Sequence, residues 1–375
     1  MSSVPREIPL HIAFLDSWKT APCEGTGTAA AIVVLASGLR ELGHQVDLLR
    51  PPSGKPGESP DEVLARRLHF NLEVEGRLTS LGQVDLVVGF DFDGVFLEPR
   101  PHRPFVASLK GVAADEVRFA APNETLILET VARFEAMTAR RAHRVIVPSR
   151  YSAERAVRSY RLSPDRVAVV PEALDPAPWE AERTRVLGRD RRPTVLSVAR
   201  QYRRKDTATL VRAMVAVRRA VPSVRLRVVG GGPELPALRQ LASDLGLASA
   251  VEFTGPISQA AQVRQAYRES LVFALPSVQE AFGIVFLEAM AAGLPIVAAR
   301  AGATPEVVDD GRTGILVPTE DPASLAEAIL KLLRDPVLRD RMGAAGRETV
   351  TRFTPRRIAE HFLRAVFLPP PDRTP

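Results

Sequence analysis

The chain has 375 residues, 45% of them hydrophobic and 25% charged, with a formal charge of +6 and one cysteine. That is the composition of a soluble globular protein, long enough for two domains with a core each. It excludes an intramolecular disulfide, and no apolar run approaches the ~20 residues that span a bilayer.

The first fifteen residues show no basic region running into a long apolar stretch. No signal peptide is therefore expected, and the expected location is cytoplasmic. IPLHIAFL at 8–15 predicts a strand, SWKTAPCEGTGT a loop, and the following residues a helix from 28 to about 42 that Gly43 ends. A second strand follows at 45–49, and the Pro/Gly-rich stretch at 51–61 predicts a loop. Further strands are expected at 84–90, 104–109, 143–148 and 166–171. Between residues 133 and 166 nine arginines stand against Glu135, Glu154 and Asp165. Such a stretch reads as a solvated helix face or as a surface for anionic lipid.

Residues 176–193, with Pro176, Pro178 and Pro193 among many charges, are expected to link an N-terminal domain (1–175) to a second one (194–353). The second series has strands at 194–199, 224–229, 251–254, 271–275, 295–299 and 314–317. Helical patterns separate them at 207–221, 234–246, 259–268, 283–292 and 321–333. A last amphipathic helix is expected at 354–368, with Ile358, Phe362 and Val366 on one face, and a disordered tail at 369–375. The alternation predicts an α/β protein of two doubly wound units facing each other across a cleft. Ligands in such sheets bind outside the carboxyl ends of the strands.

Charge divides unevenly between the halves. Residues 1–185 hold 23 Lys+Arg against 25 Asp+Glu, and the remainder holds 27 against 19. A basic C-terminal half suits an anionic ligand such as a nucleotide, or is a solvated Arg-rich surface. Nucleic acid is not an expected partner, because the basic residues are not interleaved with aromatics and no binding motif appears.

The densest chemistry lies in PSVQEAFGIVFLEAMAAG at 276–293, where Glu280 and Glu288 stand in apolar company. Ionised groups near a core are costly unless paired. Ser277 to Phe282 read as a loop and Gly283 as the opening of a helix, whose first N–H groups form a ready anion site. Phosphate donors flanked by two carboxylates would suit a sugar or ribose. Either Glu taken alone also reads as a dipole-stabilising residue or the partner of an Arg.

In TVLSVARQYRRKD at 194–206, Arg200 follows a strand directly and Lys205 comes five positions later. Two cations there can neutralise a diphosphate leaving group, or simply be solvated. VVGGGPE at 228–234 shares a Gly-rich turn with dinucleotide-binding loops, but Pro233 and Glu234 break that fingerprint. PCEGTGTAAA at 22–31 brings Gly25 and Gly27 into a loop before a helix, with Cys23 a passive residue or a reactive thiol. No Cys/His/Asp cluster has metal-ligand spacing, so no metal is expected.

The pattern PS…E.FG…LEAMA.G.P.VA, followed by GATPEVVDDGRTGILVP at 302–318, resembles the donor-site signature of the family-4 retaining glycosyltransferases of the GT-B fold. The match is dense over about 45 residues, and weaker agreement extends over most of the chain. The resemblance implies two Rossmann-like domains across a cleft and a C-terminal helix crossing back to the first.

It further implies that Glu280 contacts the transferred sugar and Glu288 the ribose, while the backbone at Phe282, Gly283 and Ile284 holds the diphosphate. Arg200 and Lys205 would serve the donor phosphates, with Asp206 standing where the family usually has Gly. The turn at Gly230 would line the nucleotide side, Gly255 the base, and Gly27 the loop near the donor phosphate and acceptor. On the acceptor side this chain departs from the family. SLKGVAADE carries Lys110 where relatives have a His-containing pair, and the nearest histidine, His102, reads as a loop residue. Lys110 and Asp91 are the acceptor-side candidates.

The implied activity is that of a hexosyltransferase. It would move a hexose-like sugar from a UDP- or GDP-linked donor to a hydroxyl of a sugar, glycolipid or small molecule, with retention and without metal or cofactor. Peripheral contact at the inner membrane face would follow for a lipid acceptor. Two alternatives stay open on the same fold: a sugar-nucleotide epimerase or hydrolase, and a sugar-nucleotide-binding protein whose acceptor site has decayed.

Overall fold

Each of the twelve apolar runs forms a parallel strand in a computed structural model that describes residues 9–18, 27–52, 58–98, 100, 102–183 and 193–367. Cys23, Gly25, residues 184–192 of the expected linker and the 369–375 tail lie outside the described residues. The first sheet holds β1 (His11–Leu15), β2 (Gln45–Leu49), β3 (Leu86–Phe90), β4 (Phe105–Ser108), β5 (Arg144–Val147) and β6 (Val167–Val169), in the order β2-β1-β3-β4-β5-β6. The second holds β7 (Thr194–Val198), β8 (Arg225–Val229), β9 (Val251–Gly255), β10 (Val272–Leu275), β11 (Ile296–Ala299) and β12 (Gly314–Val317), in the order β12-β11-β10-β7-β8-β9. Every residue of β3, β10 and β11 is buried. Helices covering both faces of a parallel sheet explain why these strands read as continuous apolar runs rather than alternating ones.

In the first unit the helices are α1 (Gly27–Glu41), α2 (Pro60–Ser80), α3 (Ala113–Glu116), α4 (Pro122–Arg141) and α5 (Arg150–Tyr160). After them come α6 (Ala177–Arg183), α7 (Thr207–Ala220), α8 (Leu235–Asp244), α9 (Ala260–Arg268), α10 (Ile284–Ala292), α11 (Thr304–Val307), α12 (Pro322–Arg334) and α13 (Pro336–Val350). Helix α14 (Pro355–Phe367) returns to the first unit, where Ile358, Ala359, Phe362 and Val366 join Ile12, Ile32 and Phe90 in one core.

One expectation needs correction, and another gains a helix. The loop at 51–61 ends early, because Ser59 caps α2 and Glu62 reaches back to the Ser59 N–H, so Pro60 is already helical. The proline-rich linker contains α6, whose Trp179 is buried edge-on against Tyr267 at 5.3 Å between ring centroids. Prolines at helix starts explain both, since a ring in the first turn forfeits no hydrogen bond.

The strand orders fix where ligands go. The order in which successive strands are added reverses between β1 and β3 in the first sheet and between β7 and β10 in the second, while every strand stays parallel. At such switch points the flanking loops diverge and leave a crevice at the carboxyl ends.

Candidate active site

The loops after β7 and β10 border the crevice of the second sheet, and they carry Lys205 and Glu280. Lys205 Nζ lies 2.6 Å from Glu280 Oε1, with the side chains 13% and 5% exposed. Burial alone would raise the Glu280 carboxyl, but the charges of Lys205 and Arg204 outweigh it and hold the group below its ordinary value. Burial holds the Lys205 ammonium below its own ordinary value, against the pull of Glu280. The loop is braced from behind at Gly302, whose φ of 54° is left-handed. A Cβ there would stand 2.5 Å from the Glu280 carbonyl oxygen, while the next N–H, of Ala303, donates to that oxygen at 2.9 Å.

Helix α10 begins just beyond. Its N-cap, Gly283, has φ 86°, no side chain caps the terminus, and its first turn holds no acid. The N–H groups and dipole of that end thus meet no capping side chain and no first-turn acid, as suits an anion site. Phe282 is buried with its ring 5.9 Å from that of Phe353, so its backbone is what it can offer a ligand. Ile284 reaches across the cleft to Gly27, at 3.0 Å from where a Cβ of Gly27 would be. One turn on, Glu288 accepts a 2.7 Å hydrogen bond from the Tyr267 hydroxyl. Desolvation pushes the Glu288 carboxyl up to about 7. Gln279 Oε1 and Thr304 Oγ1, on the same loop and behind it, are buried with no hydrogen-bond partner among the described residues.

Arg200 is exposed at the end of β7, its guanidinium 5.3 Å from the centroid of the Tyr202 ring. Asp206 adopts φ 47° and caps α7 through Thr209 N. Aspartate tolerates the left-handed region better than most residues, which accounts for its standing where glycine is usual. The Gly230 N–H donates to the Gly255 carbonyl at 2.9 Å, tying the turn after β8 to the end of β9.

The acceptor-side candidates both have partners within the first unit. Asp91 is buried, with its oxygens taken by Trp18 Nε1 at 2.6 Å and Lys110 N at 2.8 Å. The Lys110 ammonium lies 3.0 and 2.9 Å from the two Glu172 oxygens. Asp91 thus ties the ends of neighbouring strands at the carboxyl edge of the first sheet, and the Lys110 ammonium is paired inside that unit. Sequence reading missed the residues that join the two units: Asp115, Glu116, Ser149 and Glu306. Glu306 stands in GATPEVVDDGRTGILVP and Asp115 and Glu116 in SLKGVAADE, but the groups they meet lie far away in the chain, so no local pattern announces the contacts.

Comparison with known proteins now adds to this geometry. A family model described as Glycosyltransferase Family 4 matches residues 25–177, and one described as Glycosyl transferases group 1 matches residues 180–349. A GDP-mannose-dependent alpha-(1-6)-phosphatidylinositol monomannoside mannosyltransferase of Mycobacterium tuberculosis is 43% identical over 170 residues, covering 43% of this chain and 43% of that protein. A D-inositol 3-phosphate glycosyltransferase of Streptomyces scabiei is 36% identical over 226 residues, covering 56% of this chain and 50% of the relative. The matched stretch thus spans half or less of these relatives' own length. Sucrose-phosphate synthase from Thermosynechococcus elongatus superposes with a TM-score of 0.77 at 23% identity, covering 95% of this chain and 98% of its own. Anabaena HepE in complex with UDP-glucose gives 0.71 at 20% identity, over 95% and 99% of the two chains. The chain belongs to the family 4 glycosyltransferases and has the GT-B fold.

Proposed function

We propose that this family 4 glycosyltransferase moves a hexose-like unit from a nucleoside diphosphate sugar to an acceptor hydroxyl with retention of configuration. The observation that carries the reading is the buried Lys205–Glu280 pair at the second switch point, beside the uncapped N-terminus of α10. In the reaction the bond between the anomeric carbon and the diphosphate oxygen breaks, and the acceptor oxygen bonds to the same face of that carbon. The acceptor's proton passes to the departing phosphate, so no protein base is needed on the opposite face.

Positive charge for the leaving diphosphate comes from Arg200, the N–H groups at Gly283 and Ile284, and the remaining N–H donors of Lys205. Because Lys205 is already paired, the helix terminus carries a larger share than residue count suggests. Glu280, with Gln279 Oε1 beside it in the chain, accepts from sugar hydroxyls, and Glu288 accepts from the ribose. This supply of charge from the chain itself is the ground for proposing a metal-independent reaction without a cofactor.

The relatives' names nominate GDP-mannose and an inositol-bearing acceptor as the first pair to test, with UDP-glucose as the competing donor. For a lipid acceptor, the exposed face of α4 with Leu126, Arg133, Met137 and Arg140 suits an anionic membrane surface. No helix among the described residues is long and apolar enough to cross a membrane.

Thermal-shift screening against UDP-, GDP-, ADP- and dTDP-sugars, followed by transfer assays with the stabilising donor, tests the proposal. The expected result is one preferred donor and a glycosylated product with the donor's anomeric configuration. Product formed from donor alone would assign an epimerase or hydrolase instead. Donor binding without turnover on any acceptor would assign a binding protein.

A further inference from the structure

Every side-chain hydrogen bond described between the first unit and the loop bearing Glu280 ends on a neighbour of that residue rather than on Glu280 itself. Asp115 Oδ2 accepts from Gln279 Nε2 at 3.3 Å, and the Ser149 and Ser152 hydroxyls donate to the Ala281 carbonyl at 2.6 and 3.2 Å. The residues immediately before and after Glu280 are thus gripped from across the cleft. Lys205 is treated the same way, since its neighbour Arg204 pairs with Glu116 at 3.4 Å. A fourth joint lies beside these. Glu306 accepts from the N–H groups of Arg150 and Tyr151 at 2.9 and 2.8 Å, so a carboxylate of the second unit caps helix α5 of the first.

The gripping groups are themselves held rigidly. Glu135 and Tyr160, both buried and 2.6 Å apart, meet the first N–H groups of α3, with Glu135 accepting from Ala113 N at 3.1 Å and Tyr160 OH meeting Ala114 N at 3.2 Å. Asp115, 2% exposed, also accepts from Tyr151 OH at 2.5 Å and Arg118 Nη1 at 3.0 Å. A carboxylate can only accept, so the Gln279 amide must turn its nitrogen to Asp115 and its oxygen away. Segment α3 directly follows Lys110–Gly111, at the carboxyl edge of the first sheet.

We infer that Asp115, Glu116 and Ser149 are positioning residues, a latch that sets the Lys205–Glu280 pair from across the cleft through its chain neighbours Arg204, Gln279 and Ala281. The inference rests on the transferase reading for what the pair does, though not for the latch itself. Without these contacts the chain on both sides of Glu280 is no longer held from the first unit, and the pair loses its fixed geometry. Misplacement of a reacting group by about 1 Å is enough to cost ~100-fold in rate.

Two measurements test this. With Cys23→Ser and spin labels at Leu126→Cys and Val337→Cys, both of these sites being exposed, the inter-unit distance is read with UDP or GDP bound. One short, narrow distribution is expected for the otherwise unmodified chain, and a longer, broader one for Asp115→Asn with Glu116→Gln. An unchanged distribution in folded protein overturns the latch, whatever the chain's reaction proves to be.

The second measurement is kinetic. Glu116→Gln, Asp115→Asn and Ser149→Ala are each expected to lower kcat about tenfold while nucleoside diphosphate Kd stays within about twofold. Ser149→Thr, which keeps the hydroxyl and the helix cap, restores kcat. Unaltered kcat, or a parallel loss of nucleotide affinity, overturns the positioning role. Absence of any transfer by the unmodified chain removes the transferase reading and leaves the distance measurement to decide the latch.

Discussion

Lys205 and Glu280 stand 75 positions apart in the chain, yet their charged atoms meet at 2.6 Å in a buried pocket between two sheet loops. Neither residue is affordable there alone. Lys205→Ala leaves a buried carboxylate without its cation, which costs about 3–5 kcal/mol where such pairs have been broken. Denaturant unfolding at pH 7 is expected to show that loss, together with a fall in turnover. The folded Glu280 carboxyl lies below its ordinary 4.5, so its contribution is present above pH 4.5 and is lost as pH falls through the folded value. A Lys205→Ala protein as stable as its parent at pH 7 would show that the pair is not coupled.

Glu288 titrates in the opposite sense. Its carboxyl is pushed up from 4.5 to about 7, so its favourable share of stability is present below pH 4.5 and is lost as pH rises through 7. Accepting from two ribose hydroxyls favours the ionised form, so donor binding should release a proton near pH 7. Affinity for the sugar nucleotide is expected to strengthen by roughly tenfold between pH 6 and pH 8. Glu288→Gln should flatten that profile and cost ~1–3 kcal/mol of donor binding at pH 8. Calorimetry in buffers of different ionisation enthalpy reads the proton directly, and a pH-independent affinity would exclude Glu288 from the ribose.

Sequence alone revealed the strands and the donor loop because both are local. β10 is a continuous apolar run, and the acids of the motif stand out against it. Helix α2 escaped notice because its buried face includes Arg67 and Asn71, which dilute the 3.6-residue period. Arg67 is buried between the Trp18 and Phe92 rings, at 4.3 and 4.0 Å, an arrangement no spacing rule announces. The cross-cleft residues were illegible for a stronger reason. Glu306 lies 156 positions from the N–H of Arg150 that it caps, and only the closed fold brings them together.

Gly302 offers a backbone test of the Glu280 loop. Alanine there adopts a left-handed φ and brings its Cβ to 2.5 Å from the Glu280 carbonyl oxygen and 2.7 Å from its nitrogen. Strain of this kind costs of order 1–3 kcal/mol, and the loop, lacking room behind it, must move. Gly302→Ala is expected to lower kcat more than it weakens nucleotide binding, because Glu288 lies on a separate helix. Equal kcat in the variant would mean that the Glu280 backbone is not held from Gly302.

Chelation addresses the source of charge on the leaving group. If Arg200, Lys205 and the α10 terminus suffice, exhaustive treatment with EDTA leaves turnover unchanged, while Arg200→Ala lowers kcat by roughly tenfold to a hundredfold. Restoration of an EDTA-inhibited enzyme by added divalent ions would reverse that assignment.

Lys110 separates a structural role from an acceptor role. Its ammonium and the Glu172 carboxylate are 9% and 11% exposed and 2.9 Å apart, so removing one partner strands the other. Lys110→Met alone is expected to cost about 3–5 kcal/mol, and Lys110→Met with Glu172→Leu to recover most of it, because an apolar pair fits where a buried ion pair did. An acceptor role predicts a different pattern: acceptor KM raised in both proteins, with stability recovery making no difference. Thermal unfolding and acceptor kinetics on the single and double variants distinguish the two. With the Lys110 ammonium within 3.0 Å of both Glu172 oxygens, the stability pattern is the expected one.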